Sequence, residues 1–360
     1  MPSQPVVSIV MAAHNAARHL AETMDGIFAQ TSDSWELIAI DDGSTDDTGD
    51  ILDRYAKEDT RIRVIRQGNR GLAASLNSGV AEARGLYIAR LDADDVPMPH
   101  RLATQVAWLD RHPEVVMVGS SAIYLAEGIR TNTLKSVPTD PRTIRRLLVH
   151  GNCMIHPTVV MRKSALMAAG GYRTCFRAAQ DYDLWLRMVE QGPIANIAEP
   201  LIYYRIHSEQ ATVRKLHQQV WGVIAAQHAA RQRRAGRPDP LDGVAEITEA
   251  TIRSFGVAPD ESVAMAAAFE DRVATHLLLS QRPQALSYAD SIQASADAIQ
   301  WRTLFRPRLE WQLAVDAIRH RQPLAAVRHT IAALRSQPQL LLRLPARLLA
   351  GIRTIGGGKP

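Results

Sequence analysis

Apolar positions in the first 110 residues fall into two alternating patterns. "VVSIVMA" (6–12), "ELIAIDD" (36–42), "IRVIR" (62–66) and "LYIARLD" (86–92) are short runs rich in Val, Ile and Leu, as buried strands are. Between them, "ARHLAETMDGIFAQ", "TDDTGDILDRYAKED" and "GLAASLNSGVAEARG" place apolar residues three and four apart, along one face of a helix. Ser44 and Thr45 stand as candidate N-caps of the second helix, which carries acids in its first turn. Repeated strand–helix–strand units predict right-handed crossovers and an α/β fold, a mostly parallel sheet with flanking helices.

From 110 to 210 the pattern is less regular. "PEVVMVGSSAIYL" and "MIHPTVVMRKSAL" read as further strands, and "IANIAEPLIYYRIH" as a strand pair around Pro200. "DYDLWLRMVEQG" mixes Leu184, Leu186, Met188 and Val189 with charges and ends on Gly192, a suitable helix C-cap. After about residue 212 the strand signal vanishes and the chain reads as helical, with a linker near 233–243. The expected division is therefore an α/β domain over 1–212 and an all-α region over 213–360. Pro283 and Pro323, each early in an apolar-periodic helix, give a faint repeat; a plain helical bundle accounts for it equally well.

Composition refines this reading. Hydrophobic residues make up 46% and charged residues 22%, the balance of a globular protein with material for a core. The two cysteines, Cys153 and Cys175, lack metal-type spacing and point to a reducing compartment. The N-terminus lacks a basic n-region, and no window reaches the roughly 18 apolar residues of a membrane span, so a cytoplasmic location is expected. From Ala317 onward there are eight Arg or Lys and no acid; without them the net charge of +5 becomes −3. Arg321, Arg328 and Arg335 recur every seven residues beside Leu324, Val327, Ile331 and Leu334. That tail (317–360) reads either as a peripheral contact with an anionic membrane, at the inner face of the cell membrane, or as a helix packed on its own domain. Nucleic acid is not an expected partner, because the aromatic interleaving of single-strand grooves is missing.

The candidate chemistry lies at the ends of the strands. Open α/β sheets bind ligands outside the carboxyl ends of their strands. Here one such strand ends in Asp41-Asp42-Gly43-Ser44 and another in Asp92-Ala93-Asp94-Asp95. Carboxylates gathered on one rim repel one another and resist burial unless a hard cation such as Mg2+ or Mn2+ joins them. Alternation along an extended segment directs Asp92 and Asp94 to the same side. Asp-rich turns also occur simply as caps, so either cluster alone is a weak signal.

The series "VSIVMAAHN … WELIAIDDGSTDDT … NRGLAASLNSGVAEARGLYIARLDADD", continued by "HPTVVMRKSALMAAGGY", "QDYDLWLRM" and "YYRIHSEQAT", resembles the family 2 glycosyltransferases of GT-A fold over residues 6–212. The resemblance implies an inverting transferase that uses a nucleotide sugar, expected to be UDP-linked, to glycosylate a glycan or lipid-linked acceptor. It implies that Ala12 and Asp42 hold the nucleoside and that Arg70 lines the nucleotide pocket. Asp92 and Asp94 match the DxD pair, Asp94 on the metal and Asp92 near the ribose. Asp181 matches the general base and His207 a position near the diphosphate and metal. The family writes an acid before that base where this chain has Gln180.

His156 matches the acceptor side or serves as a structural histidine. Gly170-Gly171 reads as a turn, Trp108 and Trp185 as core, and Asp183 as a first-turn helix acid. Two rival functions remain. A sugar-1-phosphate nucleotidyltransferase is disfavoured because "VMAAHNAARHL" carries no Gly-rich phosphate loop. A degenerate binding module is disfavoured because Asp42, Asp94 and Asp181 are all present.

Overall fold

The computed structural model describes residues 4–126, 129–206 and 216–256, all within the first of two compact units, Met1–Ser262. His207, the helical segments with Pro283 and Pro323, and the basic tail lie outside the described residues.

Among the described residues, a nine-stranded sheet organises this unit. Four strands, β1 (Val7–Ala13), β2 (Trp35–Asp42), β3 (Ile62–Gln67) and β4 (Tyr87–Asp92), pair in parallel in the order β3-β2-β1-β4. The chain moves outward from β1 to β3 on one side and returns to β4 on the other, so strand order switches at β1, where open α/β sheets form their binding crevice. Register sets Ala12 of β1 level with Ile40 on one side and Asp92 on the other. Beyond β4 the sheet becomes mixed. β8 (Val160–Arg162) runs antiparallel to β4, and β6 (Met117–Ala126) antiparallel to β8. β9 (Ile194–Ile206) runs parallel to β6, and β5 (Val96–Pro97) antiparallel to β9. β7 (Ile129–Lys135) makes a hairpin with β6.

Both faces of β1, β2 and β4 are covered, which is why most positions along these strands are apolar. Ile9, Met11, Leu37, Ala39 and Leu91 join one core with Leu20, Met24 and Ile27 of α1 (Ala17–Phe28), Leu52 of α2 (Thr48–Glu58) and Leu102 and Leu109 of α4 (Arg101–Arg111). α3 (Leu72–Glu82) covers the opposite face; a Cβ on its Gly79 would lie 2.6 Å from Val10 and 2.7 Å from Ile40, so glycine lets the helix settle on the strands.

Three local expectations are revised. The strand pair around Pro200 is a single strand: β9 shifts register against β6 between Ser120 and Ser121, with Pro200 opposite Ser121, and a bulge accommodates a residue that cannot donate to the ladder. The strand expected over 154–166 shrinks to β8. A 3-10 turn at His156–Thr158, built around Pro157, precedes it, and helix α6 (Lys163–Ala168) follows. Helix α2 begins at Thr48 rather than beside Ser44 and Thr45, and Asp46 accepts from the N–H groups of Thr48 (3.0 Å) and Ala17 (3.1 Å).

Among the described residues the remaining helices are α5 (Pro141–Leu147), α7 (Gln180–Gln191), α8 (Leu216–Arg234) and α9 (Glu249–Ser254). α8 packs on α7: a Cβ on Gly222 would lie 2.5 Å from the Ala178 carbonyl, and Gln227 donates to the Tyr182 hydroxyl at 3.0 Å. The stretch after α8 is non-helical and tied down, with Asp239 held by Arg173 at 2.6 Å and Arg233 at 2.7 Å.

Candidate active site

At the end of β4 the chain turns through Asp92, Asp94 and Asp95, one oxygen of each lying within 4.8 Å of the others. Asp92 sits on the same strand face as Arg90, two residues earlier, and pairs with its guanidinium. Asp95 is 1% exposed; the Arg205 N–H donates to its Oδ1 at 2.7 Å, while its Oδ2 is buried with no hydrogen-bond partner. Burial, then the charges of Asp94 and Asp92, push its carboxyl well above the ordinary range. Arg205, near the end of β9, braces the turn further: its Nε donates to the Asp94 carbonyl at 2.6 Å and its guanidinium pairs with Glu22.

Two strands away, Asp42 closes β2 with its carboxylate clamped by the loop 67–71. Gln67 Nε2 (2.8 Å) and the Arg70 N–H (2.9 Å) donate to Oδ1, and the Gly71 N–H (2.9 Å) to Oδ2. Burial opposes the charge, but these hydrogen bonds overcome it and hold the pKa below the usual value. Arg70 reaches Asp42 through its backbone, and its side chain is exposed. Ala12 lies partly exposed between the two acidic strand ends.

Asp181 occupies the first turn of α7. It enters through Ala179, a non-glycine residue at φ 61°. Asn152 Nδ2 donates to Asp181 Oδ2 at 2.8 Å. Burial raises its carboxyl pKa; the Tyr182 N–H, Asn152 and the charge of Arg90 oppose that rise without cancelling it. Asp183, the other acid of this turn, is 0% exposed and committed to Arg187 at 2.6 Å and 3.0 Å. Arg187 in turn donates to the Ala169 and Gly171 carbonyls, so Asp183 anchors the preceding loop. Gly170 and Gly171 are both left-handed, as a turn requires.

Arg90 connects the two halves of the site. It pairs with Asp92, and its charge acts on Asp181, His156, Tyr172 and Asp95. His156 contacts the Tyr172 hydroxyl at 2.9 Å and the Trp185 ring edge-on at 5.7 Å. Burial and Arg90 keep this imidazole neutral, its pKa well below the usual value. Lys135, at the end of β7, holds its Nζ 4.3 Å from the Tyr204 ring centre; burial lowers its pKa to about 8, against the negative charges of Asp95 and Asp181.

Asp92 and Asp94, on one turn, and Asp181, distant from them in sequence, thus gather around Arg90, with Ala12 and Asp42 along the adjoining rim. Sequence reasoning missed Arg90, Lys135, Asn152 and Arg205. Arg90 left a signal, a charge at an inward position of the apolar run "LYIARLD"; Asn152 left none.

A switch-point sheet with acidic strand ends and a separate helix-borne carboxylate is the architecture of nucleotide-diphospho-sugar transferases of GT-A fold. The chain matches the family model "Glycosyl transferase family 2" over residues 8–170. It is 37% identical over 262 residues to the glycosyltransferase EpsE of Bacillus subtilis (strain 168), covering 71% of this chain and 91% of that one. The O-antigen biosynthesis glycosyltransferase WbnJ of Escherichia coli is 31% identical over 210 residues, 57% of this chain and 81% of its own length. S. aureus TarS 1–349, solved in complex with UDP-GlcNAc, shares the fold with a TM-score of 0.54 at 14% identity, covering 92% of each chain. The chain belongs to glycosyltransferase family 2 and is a glycosyltransferase.

Proposed function

We propose that this transferase takes its sugar from a UDP-linked donor and attaches it, with inversion, to a hydroxyl of a glycan or lipid-linked acceptor, with Asp181 as general base and residues 1–212 supplying the catalytic machinery. The observation that carries this reading is the convergence of Asp181 and the Asp92–Asp95 cluster on Arg90. The name of WbnJ supports a polysaccharide acceptor, and the TarS complex supports a UDP donor.

In this reading Ala12, Asp42 and Arg70 line the nucleoside side. The three donors fixed on Asp42 orient its carboxylate, leaving Oδ2 an acceptor site for the base edge. Asp92 faces the ribose. The donor set fits Mg2+ or Mn2+: hard oxygens, close together, with one buried Asp95 oxygen lacking any partner. Asp94 would hold the ion, His207 is the proposed further ligand, and the ion would neutralise the leaving diphosphate. Lys135 adds a cation on the base side of that cluster.

The acceptor hydroxyl is a poor nucleophile until its proton is taken as it attacks, and Asp181 is the carboxylate placed to take it. Asp183 cannot substitute, because both of its oxygens already serve Arg187 and Arg173. A direct displacement leaves inverted configuration with no covalent enzyme intermediate. We place the protein in the cytoplasm, with the basic tail as its peripheral contact with an anionic inner membrane face.

The test is turnover of a UDP-sugar panel with and without EDTA, by wild type and Asp181→Asn. Chelation should abolish turnover, and the variant should lose it while still binding UDP with Mn2+. Wild-type turnover by Asp181→Asn would remove it as the base.

A further inference from the structure

The stretch between α8 and α9, residues 235–248, forms no helix or strand, yet it is fixed against the loop that leads to Asp181. That loop, 172–178, runs directly into Ala179 and α7. Three alternate residues of the loop are each met by the stretch after α8. Arg173 pairs with Asp239 at 2.6 Å, the Cys175 carbonyl accepts from the Ile247 N–H at 3.1 Å, and Arg177 pairs with Glu246 at 3.1 Å. Leu241 and Ile247 are buried and anchor the stretch between these contacts.

Asp239 is the centre of this arrangement. Its side chain is 7% exposed, and its Oδ2 accepts from Arg173 at 2.6 Å and from Arg233 at 2.7 Å. The Leu241 N–H donates to its Oδ1 at 2.9 Å. The two guanidiniums reach opposite ends of α7: Arg173 pairs with Asp183 in the first turn (3.4 Å) and Arg233 with Glu190 in the last (2.9 Å). Burial opposes the charge of Asp239, but Arg173, the Leu241 N–H and Arg233 hold its pKa below the ordinary value. Without that anion, two half-buried cations would face each other uncompensated.

One carboxylate therefore ties both ends of the helix that carries Asp181 to a stretch beyond residues 8–170, which the family model matches. A left-handed, non-glycine residue such as Ala179 persists only where its surroundings over-determine it. None of the contacts just named involves Asp42 or the acidic turn at Asp92–Asp95, so they bear on the base and not on the rim.

We infer that residues 235–248 are a strap that positions Asp181 for the reaction, with Asp239 as its positioning residue: locked between Arg173 and Arg233, it fixes the loop 172–178 and the turn that presents Asp181. The inference rests on the assignment of Asp181 as the base; the exchange measurement below does not.

Full-length wild type is compared with Asp239→Asn and Asp239→Glu, well below their melting points. Turnover is measured with the nucleotide sugar that wild type uses, and kcat is normalised to the sites that bind the corresponding nucleoside diphosphate with Mn2+, so unfolded protein is not counted. Asp239→Asn keeps the shape and removes the charge. It should lower the normalised kcat roughly tenfold, leave nucleotide affinity within about twofold, and speed amide hydrogen exchange over 172–183. Asp239→Glu returns the charge and should recover part of the lost kcat. Wild-type normalised kcat in Asp239→Asn would overturn the inference even if the variant melts lower. So would unchanged exchange over 172–183, or a loss of nucleotide affinity as large as that of kcat. Should Asp239→Asn fail to fold, Asp242→Asn/Glu246→Gln removes two exposed acids of the same strap from Arg173 and Arg177. It should lower kcat about threefold, and wild-type kcat there would overturn the inference. Wild-type turnover by Asp181→Asn would sink the base assignment, whereas a loosened loop with normal kcat in Asp239→Asn would sink the strap's role alone.

Discussion

Asn152 donates its side-chain amide to Asp181 Oδ2 at 2.8 Å, a bond between a loop after α5 and the first turn of α7. It favours the ionised carboxylate, which burial disfavours. Removing it in Asn152→Ala leaves burial less opposed, so the pKa of Asp181 rises further. The base proposed for the reaction must be ionised, so the acid limb of the pH–rate profile should move to higher pH. Hydrogen bonds to charged groups contribute about 1.5–3 kcal/mol, so a displacement of about one pH unit is expected. An unmoved acid limb, with kcat reduced at every pH, would show that Asn152 only packs.

Arg205 fixes the acidic turn through two backbone groups: its own N–H on Asp95 and its Nε on the Asp94 carbonyl. Arg205→Met should retain the first bond and lose the second, together with the pairing to Glu22. The expected result is a stability loss of about 2 kcal/mol and a larger loss in the melting-point rise produced by Mn2+ with UDP. If the variant melts lower but its response to Mn2+ with UDP is undiminished, the guanidinium supports the fold and not the cluster.

Much of the acidic rim was legible in the sequence because it depends on local order. Strands β1 to β4 are short apolar runs with helical spacing between them, and parallel strands place their final residues on one edge, so Asp42 and Asp92 had to emerge together. What the sequence hid are contacts made across long separations. Arg205 meets Asp94, and Asn152 meets Asp181, through the packing of β9 against β5 and of α5's exit against α7. No spacing rule encodes those meetings. The segment 154–166 misled because Val159, Val160 and Met161 are apolar for the core, yet only Val160–Arg162 pairs as a strand.

Ala179 holds a left-handed backbone at φ 61° immediately before the turn that presents Asp181, and Gly222 of α8 packs against it. A methyl group on Gly222 would stand 2.5 Å from the Ala178 carbonyl and 3.1 Å from the Ala179 Cβ. Gly222→Ala should therefore cost about 1–3 kcal/mol of stability and lower kcat by displacing Asp181. Ala179→Gly removes a left-handed penalty of about 1–2 kcal/mol and adds an unfolded-state entropy cost of about 0.5–1 kcal/mol. It should be neutral or slightly stabilising and remain active. A strongly destabilised Ala179→Gly would mean that the methyl group's packing outweighs the backbone strain.

Glu36 lies on β2, 1% exposed, and gathers the Ser8 hydroxyl and the Arg84 N–H, each at 2.7 Å, with Arg63 and Arg84 guanidiniums around it. Burial opposes its charge, yet Ser8, Arg84 and Arg63 together hold its pKa below the ordinary value of 4.5. A depressed carboxyl pKa stabilises the fold above the unfolded-state value, and that contribution disappears as pH falls through the folded-state value. Both arginines are partly exposed and screened by solvent, so the energy rests on the two buried hydrogen bonds. Glu36→Gln should lose about 2 kcal/mol at pH 7, read from denaturant midpoints. The gap to wild type should narrow below pH 4.5, as the wild-type carboxyl takes up its proton. A difference constant with pH would place the effect of Glu36 in its shape, not in its charge.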